Sequence, residues 1–110
     1  MINYTTPTIS LTVEGYDITA HDVYVSLEQG ATELVKTGAA LTMTAVTVQQ
    51  QTDTNITFML TQEESAAFNY NRAVSVQVNW ITSGGVRSAT EIKVIPVMRN
   101  LLDEVIQYGN

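Results

Sequence analysis

AVSVQVNWITSGGVRSATEIKVIPV, residues 73–97, consists of two strand-like runs closed by Ser83-Gly84-Gly85. Val74, Val76, Val78 and Trp80 occupy every second position, with Ser75, Gln77 and Asn79 between them. Successive side chains of a strand point to opposite faces, so this run has one face to bury and one to wet. It predicts a β-hairpin. Trp80 is the only tryptophan, and its large apolar area makes it the expected centre of the core. A two-stranded hairpin cannot bury such a face alone, so the rest of the chain must supply an opposing layer.

The same alternation recurs on either side of this stretch. Ile9, Leu11 and Val13 alternate with Thr8, Ser10 and Thr12 after Pro7, and Glu14-Gly15-Tyr16-Asp17 predicts a turn. Met1 to Thr6 is polar and is expected to be a loose arm. Asp22 to Gln29 places Val23, Val25 and Leu27 on one face and ends at Gly30. A shorter return strand spans Ala31 to Thr37, with Leu34 or Val35 inward and Lys36 outward. Leu41 and Met43 begin a fourth strand whose register is ambiguous at Ala45-Val46, where a bulge would resolve it. Gln49 to Asn55 predicts a polar turn, followed by a strand with Ile56, Phe58 and Leu60 inward. Thr61-Gln62-Glu63-Glu64 has the spacing of a capping box and starts a short helix that Phe68 pins to the core. The hairpin then follows, with Ile92, Val94 and Pro96 expected on the inner face of its second strand, and Pro96 marking a sheet edge.

After Val97 the period changes. Met98, Leu101, Leu102, Val105 and Ile106 recur at three- and four-residue steps, so Asn100 to Tyr108 predicts an amphipathic helix, capped by Asn100 and closed by Gly109. So short a helix does not hold in water unaided, and it is expected to dock on its own domain or on a neighbour. The reading is therefore one domain: a β-sandwich over 1–97 and an amphipathic helix over 98–110. The fold class is all-β, an immunoglobulin-like antiparallel β-sandwich of about seven strands with Greek-key connections, and a small closed barrel is the alternative.

The totals restrict function. Of 110 residues, 45% are hydrophobic and 15% charged, the latter below the usual quarter or so. Eleven acidic against five basic residues give a net charge of −6, which opposes a phosphate backbone, so no nucleic-acid partner is expected. With no cysteine and one histidine, neither a disulfide nor a zinc site is expected. No stretch has the length of a membrane span, and MINYTTPTIS lacks a basic region followed by an apolar run, so neither membrane insertion nor secretion is expected. Without secretion the sequons at Asn3 and Asn55 carry no weight.

Each candidate for chemistry has a plainer account. His21 adjoins Asp22 but has no nucleophile on a Gly-x-Ser-x-Gly turn. Asp17, Asp22 and Asp53 form no alternating acidic ladder for calcium. Glu63 and Glu64 are adjacent and would point about a hundred degrees apart on a helix. Gly84-Gly85 sits in a hairpin turn, not a phosphate loop. Tyr16, Tyr24, Tyr70 and Tyr108 are scattered, although some could form a sugar-stacking platform. No enzymatic activity and no cofactor is expected. The C-terminal stripe of Leu101, Leu102, Val105 and Ile106 is the candidate interaction element.

Three stretches, DITAHDVYVSLEQG, ITFMLTQEESAAF and VSVQVNWITSGGVRSATEIKVIPVMRNLLDEVI, together cover most of the chain. Their pattern is a Leu-Thr-Gln-Glu segment ending in an aromatic, Val-x-Val-Gln-Val-x-Trp, a glycine turn, Ala-Thr and a Leu-Leu-x-x-Val-Ile tail. It resembles a group of roughly hundred-residue structural proteins of tailed phages and prophages of gut Firmicutes. More distantly, it is similar to the immunoglobulin-like N-terminal domain of phage baseplate upper proteins. Unlike those, this chain is expected to be a stand-alone domain without a receptor-binding extension, which weighs against direct host recognition. The resemblance implies a non-enzymatic virion structural protein of the tail or baseplate. Such a protein would bind other virion proteins, form homo-oligomers, and reside in the virion or, before assembly, in the host cytoplasm. A carbohydrate-binding or host-surface adhesion module is the alternative.

Overall fold

The computed structural model describes residues 1–107. Eight strands form two antiparallel sheets: β1 (Thr8–Val13), β2 (Asp22–Gln29), β3 (Thr32–Thr37), β4 (Thr42–Val48), β5 (Gln51–Met59), β6 (Ala73–Ile81), β7 (Arg87–Ala89) and β8 (Lys93–Pro96). One sheet has the order β1-β5-β4. The other runs β3-β2-β6, with β7 and β8 sharing the far side of β6. A five-residue helix, α1 (Gln62–Ala66), links β5 to β6 where the chain crosses between sheets. This order matches the B-E-D and C′-C-F-G arrangement of immunoglobulin-like sandwiches without the first strand of that fold.

The alternation in β6 is borne out. Val74, Val76, Val78 and Trp80 are all buried, Trp80 retaining 5% exposure, while Ser75, Gln77 and Asn79 face outward. They meet Val23, Val25 and Leu27 of β2, and, from the facing sheet, Ile9, Val13, Ile56 and Phe58. Each buried Val, Ile or Phe side chain is worth roughly 1.5–3 kcal/mol relative to solvent, so this layer is the main source of stability. Phe68 is fully buried after α1, as its position predicts.

Four expectations are corrected. First, Gln51 to Asn55 is strand, not turn: β4 and β5 join through Gln49-Gln50 alone, with Val48 opposite Gln51. Both loop residues have positive φ, 51° and 69°, the requirement of a two-residue hairpin loop. Asn-Gly ordinarily signals this turn, so Gln-Gln conceals it. The register of β4 is continuous and needs no bulge.

Second, residues 87–96 form two strands. Pairing of β6 with β7 matches Asn79 to Ala89, but pairing with β8 matches Ser75 to Val94, a slip of one residue. The Thr90 hydroxyl accepts from the Val78 amide at 3.1 Å, and the Thr90 amide donates to the Val78 carbonyl at 2.9 Å. A one-residue slip reverses the faces. Ile92, Val94 and Pro96 are therefore exposed, while Ile95 packs on the core and Val97 is buried.

Third, the N-terminal arm is tied down. The Met1 ammonium donates to the Pro96 carbonyl at 2.9 Å, the Met98 amide to Met1, and the Asn3 amide to Met98. Fourth, Lys36 lies on the inner-face side of β3 opposite Val25, half-buried and paired with Glu64. Leu34 rather than Val35 faces the core.

A non-glycine residue in the left-handed region carries a penalty of about 1–2 kcal/mol. Gln49→Asn combined with Gln50→Gly should therefore raise the unfolding free energy by about 1 kcal/mol. Urea denaturation followed by Trp80 fluorescence measures this; an unchanged or lower midpoint would remove the two-residue turn as a source of strain.

Candidate interaction surface

Among the described residues, four polar side chains are buried, and each ties separate parts of the chain together. Thr54 in β5 donates from its hydroxyl to the Tyr16 carbonyl at 2.8 Å and accepts from the Ile18 amide at 3.0 Å, anchoring the β1–β2 crossing. Gln29 closes β2 on the 69–72 loop: its amide nitrogen donates to the Asn69 and Arg72 carbonyls, and its oxygen accepts from the Asn69 amide. Ser65 in α1 donates to the Thr5 carbonyl at 2.7 Å. Asn3 receives the Asn100 amide at 3.0 Å, and the Asn100 side chain donates back to the Asn3 carbonyl at 3.1 Å. No buried side-chain polar atom lacks a partner among the described residues.

The C-terminal segment is not the expected helix. Among residues 98–107 there is no helical turn; Tyr108 and Gly109, the end assigned to that helix, lie outside the described residues. The Ile106 amide, which a helix would pair with the Leu102 carbonyl, pairs elsewhere. The Gln62 side chain donates to the Ile106 carbonyl at 3.0 Å and accepts from the Ile106 amide at 2.8 Å. The Asn100 side chain turns back to accept from the Leu102 amide, and its backbone amide goes to Asn3. Competition wins because about nine residues nucleate a helix poorly. The result is a strap pinned at Asn100 and Ile106.

The four stripe residues do not share a buried face. Leu101 is 87% exposed, Leu102 and Ile106 are also exposed, and Val105 is half-buried. Met98 is exposed beside them in sequence, and the Arg99 guanidinium lies 5.7 Å from the Tyr70 ring centre. The three- and four-residue spacing of these residues does not carry a helix here.

The other candidates fall apart in space or serve the loops. His21 is half-buried, its amide closing a turn on the Ile18 carbonyl. Among the described residues, no three of His, Asp and Glu come together in a way that could hold a metal ion. Asp17 accepts from the Thr19 hydroxyl and amide, which hold its carboxyl below the ordinary range. Asp53 accepts from Gln51 and from the Gly15 amide, with the same effect. Both are loop staples. Tyr16 leans on Trp80 at 5.3 Å with the rings 53° apart, and with Trp80 buried they offer no flat pair for a sugar ring. Tyr24 lies on the outer face of its sheet, opposite Asn79, and Tyr70 follows α1.

Glu64 is the residue whose environment sequence reading undervalued. Thr61 and Glu64 form the predicted capping box: the Glu64 amide donates to the Thr61 hydroxyl at 3.1 Å and the Thr61 amide to the Glu64 carboxylate at 2.9 Å. The same carboxylate oxygen takes the Lys36 ammonium at 2.8 Å. Burial raises the Glu64 pKa, but the Lys36 and Thr61 hydrogen bonds together with the Lys36 charge outweigh it, leaving the carboxyl below its ordinary value of 4.5. A depressed carboxyl contributes stability that is fully present above the unfolded value and lost as pH falls through the folded one. The stability difference between the wild type and Glu64→Gln should therefore shrink as pH is lowered below about 4.5 in urea titrations. A constant difference would mean that the ion pair contributes nothing. Replacing Gln62 by Ala should release the strap, seen as faster proteolytic cleavage within residues 100–107 with the sandwich intact; unchanged cleavage would mean that Gln62 does not hold it.

No family model, no curated protein and no solved structure matches this chain.

Proposed function

We propose that this chain is a non-enzymatic structural protein of a phage or prophage particle, tail- or baseplate-associated, working through protein–protein assembly. The observation that carries this reading is the strap: Leu101, Leu102 and Ile106 hold their side chains in solvent while Gln62 and Asn3 fix the backbone between them. Apolar side chains presented on a pre-ordered backbone cost less entropy to dock than those on a free tail. The partner is another virion protein offering an apolar groove, and Leu101, Leu102, Val105 and Ile106 are the contact residues. The resemblance of the Val-x-Val-Gln-Val-x-Trp and Leu-Leu-x-x-Val-Ile segments to phage structural proteins supports the same role.

Virions purified from an induced lysogen should contain the wild-type chain by mass spectrometry. The Leu102→Asp/Val105→Asp variant should be absent from them while its circular dichroism remains that of the sandwich. Wild-type chain missing from particles would end the proposal. Binding to a glycan array with no incorporation into particles would favour the adhesion module instead.

A further inference from the structure

The two sheets treat their edges differently. On β3, Glu33 and Lys36 sit on the outer strand of one sheet, and at the other side of that sheet β7 carries Arg87 and β8 carries Lys93 and Pro96. Charges and prolines on edges block addition of a further strand. The other sheet ends at β4, TMTAVTV, which has neither. Residues 37–52 carry no ionisable side chain at all, in a chain of net charge −6. The opposite edge of that sheet, β1, is also neutral, but it borders a cleft lined by Glu14, Glu91 and Lys93.

The second half of β4 is also incompletely packed. Pairing of β1 with β5 stops at Val13 and Thr54, so Val46 to Asp53 runs on as a two-stranded ribbon. Residues 44–48 are exposed on both faces, with Val48 at 64%. An isolated two-stranded ribbon is marginal in water, and an uncharged β-branched edge presents unpaired backbone groups ready for another strand.

We propose that β4 pairs antiparallel with β4 of a second copy of this chain, joining two three-stranded sheets across a two-fold axis. A second copy is the fitting occupant because the strand is its own complement. With Thr44 on the axis, Thr44 faces itself and Thr42 faces Val46 of the second copy, pairs of threonine and β-branched residues that suit a sheet, while Met43 faces its Ala45. The pairing also brings together a part of a strongly acidic molecule that carries no charge, so no like charges meet directly. Five residues of each strand, Thr42 to Val46, pair directly and span only about 17 Å. The contact therefore falls at the small end of specific interfaces, below about 1,200 Å², and the dimer should be of micromolar strength. It depends on β4 alone and is independent of the virion reading and of the strap.

Sedimentation velocity from about 1 to about 200 µM, a range that brackets a micromolar equilibrium, tests the pairing. The wild type should pass from monomer to dimer. Thr44→Lys and Thr44→Glu should each stay monomeric, because like charges would meet on the axis, and mixing the two variants should restore the dimer. Leu102→Asp/Val105→Asp should dimerise like the wild type. A wild type monomeric throughout, a dimer that survives in both single variants, or a mixture that stays monomeric would overturn the proposal. Should the variants fail to fold, hydrogen exchange on the wild type decides: β4 amides should slow with concentration while β1 and β3 amides do not, and unchanged β4 exchange would equally overturn it.

Discussion

The structure depends on the burial of one face of β6. That strand is hydrogen-bonded on both sides, to β2 along one edge and to β7 and β8 along the other. Its four inward side chains, ending in Trp80, form the floor on which the smaller sheet rests. Val74 and Val76 are effectively sealed from water, and so are Val25 and Leu27 beside them. Apolar area removed from water is the dominant favourable term in folding, and here most of it is concentrated in one layer. The crossings at both ends of the sandwich are shaped by the need to keep that layer closed.

Buried polar groups do the closing. Thr54, Gln29, Ser65 and Asn3 each sit inside the structure and each satisfies the backbone of a segment far away in the chain. An unpaired polar atom in such a place would cost on the order of 1–3 kcal/mol, so these contacts set which loop lies where. Alternation correctly places Gln29 on the apolar face of β2, yet its polarity hides that it belongs there. Its partners are carbonyls at Asn69 and Arg72, which no local pattern marks. Lys36 is a similar case. Its charge suggests solvent, but a Glu64 carboxylate 28 residues away draws it to the inner side of an edge strand.

The same competition between local and distant partners explains what became of the C-terminal segment. Apolar residues at three- and four-residue steps specify a helical stripe only when the backbone has nothing better to bond. Here Gln62 provides an alternative partner for the Ile106 backbone, and the short segment takes it. The interaction candidates Leu101, Leu102, Val105 and Ile106 were legible as a group. They lie on an extended strap rather than on one helix face.

By itself, the sequence determined the layered all-β fold, the short capped helix and the centrality of Trp80. Period-two alternation and a capping box are properties of neighbouring residues, and burial enforces them wherever the strands end up. The Gln49-Gln50 turn, the one-residue slip between β7 and β8, and the strap come from contacts between separate parts of the chain. Thr90 must meet Val78 before the faces of β8 reverse, and Ile106 must meet Gln62, 44 residues away, before the tail gives up its helix. Those contacts do not exist until the chain has closed on itself.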